Sequence, residues 1–324
     1  MKLYPWLIQP YKNIIYQYQA NKAHHAILIK SQKGIGVSRL IWFISRWLLC
    51  LEPIGIYFCN KCHGCTLMKT QNHPDWHTLK GNIFHVYDIR ILNEKIFKRS
   101  QQDGNKIIYL SNIQKLTQSA VNAFLKTLEE PPKKTWFFFV NYDSLNLYVT
   151  LHSRCLLYKL FSPNEQDSLR WLKEKKSKKN ISYLTALRIS QGSPILAKNL
   201  IDGNIWIERE NLYKHLFDGF KNKNFLKILN ILNTRDRLIK IDWICILLFD
   251  SIKLNFSKQK ELTNLDQIDL IKFISYNYKN SILDISIRTW MRCKHRLLNI
   301  PGVNCELLLI EQLLRWEKIL HFIF

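Results

Sequence analysis

Trp136–Asn141 reads WFFFVN, a strand-length run with no polar face. Side chains alternate between the two faces of a sheet, so a strand of this kind has to be covered on both. That is the environment of a parallel sheet between helix layers, not of an antiparallel sheet with one wet face. Three more short apolar runs fit the same sheet: Ala26–Ile29 (AILI), Lys106–Leu110 (KIIYL) and Leu156–Leu160 (LLYKL). Helical periodicity fills the gaps at Leu40–Leu51, Ile89–Arg99 and Ser119–Glu129. The alternation predicts an α/β domain with a mainly parallel sheet.

Phe161–Glu165 (FSPNE) reads as a boundary, and the pattern beyond it is helical. Glu165–Lys176, Ser182–Ser190 and Pro194–Asp202 form a small helical group. Ser193 offers an N-cap and Pro194 a first helical residue for the last of them. Longer helical segments follow at Trp206–Asp218, Asn224–Asn233, Arg235–Phe256, Asp266–Lys279, Ser281–Ile300 and Asn304–Ile323. No convincing strand signal, internal repeat or extended low-complexity tract occurs there.

Between the first strand and its helix lies Lys30–Arg39, KSQKGIGVSR. Strand, glycine loop and helix are the layout of a phosphate-binding loop. In GxxxxGK[ST], backbone amides cradle the phosphates, the lysine reaches them, and the hydroxyl ligates magnesium. In that register Ser31 replaces the first glycine, Gly36 and Ser38 are kept, and Val37 stands where the lysine belongs. Gly34 adds flexibility to the arch, and Lys33 is placed too early to substitute. Magnesium and water activation also need carboxylates after a later strand. The fitting strand, Lys106–Leu110, is followed by Ser111-Asn112-Ile113-Gln114. Hydrolysis and tight ATP binding are therefore not expected, and Gly34, Gly36, Val37 and Ser38 read as a strand–helix joint.

Of eight cysteines, four cluster as Cys50-x8-Cys59-x2-Cys62-x2-Cys65. Close C-x2-C pairs present sulfurs to one ion from a tight turn, and a remote ligand completes a tetrahedron. Four thiolates leave no open position, so the expected metal is structural zinc, stapling an insertion with little core of its own. The reading puts Cys50 at the close of a helix, the other three in a short loop, and Gly64 where the turn needs relief. His63, His73 and His77 lie nearby as alternative ligands. Cys155, Cys245, Cys293 and Cys305 are scattered and read as packing residues.

A net charge of +23 invites a nucleic-acid partner. Lys, Asn and Ile are all abundant, however, which also fits an AT-rich coding bias. Only Lys173–Lys179 (KEKKSKK) is a dense basic run. The first apolar run is broken by Pro5 and Pro10, against a signal peptide. The longest apolar run of the C-terminal half, Ile244–Phe249, lies between Asp242 and Asp250 and is far short of a membrane span. A soluble cytoplasmic protein without disulfides or membrane partner is the expectation.

With these positions in view, the chain resembles the delta prime subunits of the bacterial DNA polymerase III clamp loader, relatives of the AAA+ ATPases. The resemblance spans nearly the whole sequence. It is densest at His24-His25-Ala26, the four cysteines, His73-Pro74-Asp75, Leu125–Pro132 (LKTLEEPP), Ser153-Arg154-Cys155 (SRC), Gly192-Ser193-Pro194 and Glu306-Leu307-Leu308. LKTLEEPP followed by SRC is a specific pairing for clamp-loader relatives. The degraded loop sets delta prime apart from the ATP-hydrolysing subunits.

The resemblance implies an AAA+-like domain with a zinc insertion over 1–161, a small helical lid over 162–203 and an all-helical collar over 204–324. It implies a hetero-pentameric ring with ATP-hydrolysing subunits and delta, which loads a sliding clamp onto primed DNA as part of a DNA polymerase holoenzyme. It assigns Arg154, with Ser153 and Cys155, as an arginine finger completing a neighbour's ATP site. A guanidinium is always charged and forked, which suits phosphate oxygens. Glu129 and Glu130 end a helix before two prolines and read as structural or interface residues, not as a catalytic pair. Two rivals remain: an active ATPase of the same fold, and a stand-alone basic zinc protein that binds DNA.

Overall fold

The computed structural model describes residues 2–79, 81–102, 104–142, 149–173, 180–256 and 258–321. The chain divides into two compact units, Met1–Pro163 and Asn164–Phe324. In the first, β1 (Ala26–Ser31), β2 (Trp76–Thr78), β3 (Lys106–Leu110), β4 (Thr135–Asn141) and β5 (Leu156–Leu160) form one parallel sheet in the order β2-β3-β4-β1-β5. The strand that feeds the glycine loop, β1, thus lies between β4 and β5.

The apolar strands are explained by two cores. Phe137 and Phe139 of β4, Ala26 and Leu28 of β1, and Ile108 and Leu110 of β3 pack into one. Their neighbours Phe138, Val140, Ile27, Ile29, Ile107 and Tyr109 pack into the other. Register keeps the layers aligned: Leu28 pairs with Phe139, and Ile108 with Phe137. Each fully buried aromatic or aliphatic side chain contributes about 1.5–3 kcal/mol.

The second of these cores is covered by α1 (Ile8–Gln19) and α2 (Val37–Leu48). Between α2 and β2 the chain inserts the cysteine segment and α3 (His63–Lys69). The first core is covered by α4 (Val86–Phe97), α5 (Gln118–Glu129) and α6 (Val149–His152). Neither β2 nor α1 is expected from the sequence. β2 is only three residues long, too short for a periodic signal. α1 buries Tyr11, Ile14, Ile15 and Tyr18, a helical spacing that was readable. Its Pro10 sits in the first turn, where no intrahelical N–H is needed.

The second unit has no strand among its described residues, and its α-helices are α7 (Glu165–Lys173), α8 (Asn180–Ile189), α9 (Pro194–Asp202), α10 (Ile205–Asn222), α11 (Leu229–Leu232), α12 (Arg237–Asn255), α13 (Ile268–Asn277), α14 (Asn280–Asn299) and α15 (Cys305–His321). The Ser193 hydroxyl caps α9 by accepting from the Leu196 N–H, and Pro194 follows it, as the sequence predicts. Of the basic run 173–179 only Lys173 lies among the described residues, as does only the part of the expected helix 165–176 up to that residue. A core around Trp243, Trp290 and Trp316 joins α10 to α15. A smaller one, with Tyr183, Leu187, Ala197 and Trp206, joins α7 to α10. No described helix is long and apolar enough to cross a membrane.

Candidate metal centre and arginine face

The four clustered cysteines converge. Their sulfurs all lie within 4.8 Å of one another. Cys50 and Cys59 are 3.5 Å apart, Cys50 and Cys62 3.9 Å, and Cys59 and Cys65 4.0 Å. A tetrahedron of thiolates around one zinc-sized ion has edges of about 3.8 Å, from a metal–sulfur distance near 2.3 Å. Backbone N–H groups of Cys59, Cys62 and Cys65 donate to the sulfurs of Cys50, Cys59 and Cys62. The N–H groups of Cys62 and Lys61 bring the Cys59 thiol down to about 6, whereas burial pushes Cys50 and Cys65 up. A dication held by these sulfurs would favour the thiolate at all four.

Two local expectations change. α2 ends at Leu48, so Cys50 lies just beyond the helix. Cys62 is the N-cap of α3 and Cys65 lies inside it, so the last C-x2-C is a helix start and not a loop. Gly64 is needed for close approach: a Cβ there would lie 2.4 Å from the Leu49 carbonyl oxygen. The insertion is also tied to its surroundings without metal. Gln19 Nε2 and Trp47 Nε1 donate to Gly55 O, and the Tyr11 hydroxyl donates to Ile56 O. The three histidines are not part of the cluster. His73 accepts at Nδ1 from the Asp75 N–H, and burial lowers His73 and His77. Asp75 itself fixes the turn into β3, accepting from Ser100 Oγ and from the N–H groups of Gln101 and Gln102.

The glycine loop keeps its backbone shape. Gly34 and Gly36 adopt φ of 78° and 95°, left-handed values that favour glycine. Ile35 and Val37 are buried in the core beneath. Trp6 Nε1 donates to Ile35 O at 2.8 Å, and Trp6 stacks on Tyr4, over which the Arg39 guanidinium lies. The Ser38 hydroxyl accepts from the Tyr109 hydroxyl at 2.7 Å, and Tyr142 neighbours the same Ser38. Beyond β3, Asn112 is engaged in capping the Gln114 N–H. Tyr109, which sequence reasoning missed, thus sits where a magnesium ligand would need to be free.

Arg154 lies between α6 and β5, an edge strand of the sheet. Its Nε donates to Glu129 Oε1 at 2.8 Å, Nη2 donates to the same oxygen, and Nη1 donates to Thr150 O and Ser153 Oγ at 3.0 and 3.2 Å. Cys155 packs against the core below, and burial pushes its thiol up to about 12. The motifs around this face meet in space. The ring of His25 donates from Nε2 to Leu128 O at 2.9 Å, satisfying a carbonyl at the end of α5. The two prolines that follow Glu130 end that helix.

The family described as "DNA polymerase III, delta subunit" matches residues 8–164, and "DNA polymerase III, delta subunit, C terminal" matches residues 203–318. DNA polymerase III subunit delta' of Buchnera aphidicola subsp. Acyrthosiphon pisum is 65% identical over 325 residues, covering 99% of this chain and 100% of that one. The chain belongs to the DNA polymerase III delta prime subunits. The Escherichia coli K12 member is 36% identical, over 99% of this chain and 97% of its own. Among solved structures, a DNA polymerase III gamma subunit-related protein of Thermotoga maritima matches at 16% identity and a TM-score of 0.45, covering 96% of this chain and 99% of that one.

Sequence reasoning also missed a buried polar network in the helical unit of this delta prime chain. Arg209, wholly buried, donates to Asp266 and Asn264, and Asn264 donates in turn to Asp250. Each of these residues reads on its own as an ordinary polar helix or loop residue, so periodicity gives no signal.

Proposed function

We propose that this chain is a non-catalytic clamp-loader subunit that completes the ATP site of a neighbouring subunit with Arg154. The observation that carries the reading is the Tyr109–Ser38 hydrogen bond. With that hydroxyl engaged, Val37 in place of lysine and no carboxylate after β3, the chain's own loop is a joint and binds ATP at most weakly. Arg154 in contrast stands at an edge of the sheet, in a motif the family places at a subunit face. An arginine given in trans makes hydrolysis depend on correct assembly, because it stabilises charge on the transferred phosphoryl group only when the subunits dock.

In this proposal, residues 1–161 are the AAA+-like domain, 162–203 the lid and 204–324 the collar that joins a hetero-pentameric ring. The ring holds ATP-hydrolysing subunits and delta, and as a whole engages the sliding clamp and primed DNA in the cytoplasm. Zinc at Cys50, Cys59, Cys62 and Cys65 is structural: it would be held by four thiolates with no open position. The rivals have less support, since an active ATPase needs groups this chain lacks and the basic residues are dispersed along it.

The test is Arg154→Ala in a reconstituted complex with DNA. The served site should lose about a thousandfold or more in rate, leaving total ATPase at what the other sites supply. Parental ATPase and clamp loading in that variant refute the role.

A further inference from the structure

Arg154 is not a free finger in this chain. Nε and Nη2 are engaged by Glu129, and Nη1 by Thr150 and Ser153, so all three guanidinium nitrogens have partners within the chain. Glu129 holds the Nε–Nη2 edge, one of the edges that can grip two oxygens of a carboxylate or phosphate. A polyphosphate approaching that edge has to displace the carboxylate.

We propose that Glu129 is the positioning residue of the finger, a latch whose ion pair must open before Arg154 can grip the phosphates of a nucleotide bound to a neighbouring subunit. This rests on the reading of Arg154 as a finger acting in trans. Two features suit the pair to that task. The side chains of Arg154 and Glu129 are 32% and 49% exposed, so water can replace either partner and the pair is weak. The backbone that carries Glu129 is also fixed independently of the arginine. It is the last residue of α5, whose end is held by His25 through Leu128 O and stopped by Pro131 and Pro132. The helix end that bears the carboxylate stays in place while the longer, more adaptable arginine leaves Glu129, Thr150 and Ser153 and returns.

While the pair is closed, only a fraction of the fingers is competent, and the apparent affinity for nucleotide falls by that fraction. Glu129→Gln keeps the shape and an acceptor oxygen but removes the charge. In the reconstituted complex it should raise kcat/KM for ATP about two- to fivefold, the range set by an exposed ion pair. In the isolated full-length chain with ¹⁵N-labelled arginine, the Arg154 Nε–H resonance should shift in Glu129→Gln, because the charge it faces is removed. In the parent complex with ATPγS the same signal should shift. An unchanged or lowered kcat/KM in Glu129→Gln, or a resonance that the substitution leaves in place, overturns the latch. Failure of the underlying reading looks different. Arg154→Ala would then keep parental ATPase while the isolated-chain signal still responds to Glu129→Gln. In the Arg154→Ala background, Glu129→Gln should add nothing, and an effect that persists there also overturns the latch.

Discussion

Arg209→Met should strongly destabilise the helical unit. The guanidinium is wholly buried between the rings of Trp206 and Tyr213, 4.7 and 4.5 Å from their centroids. It donates to Asp266 through Nη1 at 2.6 Å and Nη2 at 2.9 Å, and to Asn264 Oδ1 at 2.7 Å. Methionine fills much of that volume but has no donor. Asp266 would keep its charge with little beyond the Gln267 amide to answer it. Asn264 could not turn to help, because its N–H and Nδ2 are both held by Asp250. Deleting one partner of a buried pair costs about 3–5 kcal/mol. For a unit of this size each kcal/mol is worth about 2–4 °C, so Tm should fall by on the order of 10 °C. Thermal unfolding followed by calorimetry reads the shift. Arg209→Met combined with Asp266→Leu separates causes: with no charge left unpaired, at least about half of the loss should return. A single variant melting within about 2 °C of the parent, or a double variant no better than the single, refutes the unpaired charge as the cause.

Metal analysis of protein purified without added metal should find about one zinc per chain. Gly64→Ala should lower that content and cost about 1–3 kcal/mol by thermal melting, because the new Cβ must move Leu49 away from the site. Val37→Lys should not create a magnesium-dependent ATPase in the isolated chain, since Tyr109 still holds Ser38 and β3 still leads into Ser111 and Asn112; phosphate release above the parent's would contradict this. Burial raises the Asp266 carboxyl, but the Arg209 bonds outweigh burial and leave it below the usual carboxylate range. A depressed folded pKa contributes stability that is full above the unfolded value near 3.9 and is lost as pH falls through the folded one, so the pair's contribution should fade only below about pH 4. Asp266→Asn should flatten that acid limb in denaturant titrations, and an identical limb would remove Asp266 from the account.

What the sequence disclosed depended on how far apart the deciding residues lie. WFFFVN announced a doubly covered strand because alternation, or its lack, is a local property, and the two cores on either side of β4 confirm it. C-x2-C spacing disclosed the four cysteines that converge for the same reason. It did not disclose why residue 64 is glycine, because the clash that forbids a side chain there comes from Leu49, across the insertion. β2 escaped because three residues carry no period, and the Arg209 network escaped because its members are joined only by the fold. The glycine loop shows the division most sharply. The missing lysine is legible at Val37 and the missing carboxylates at Ser111 and Asn112. The phenol that occupies Ser38 comes from a residue 71 positions away. Arg154 is likewise legible as a motif, but its restraint by Glu129 is a contact across 25 residues. Departures from the phosphate-loop pattern can therefore be read from single positions. The contacts that occupy Ser38 and Arg154 are properties of pairs, and only the folded chain brings them together.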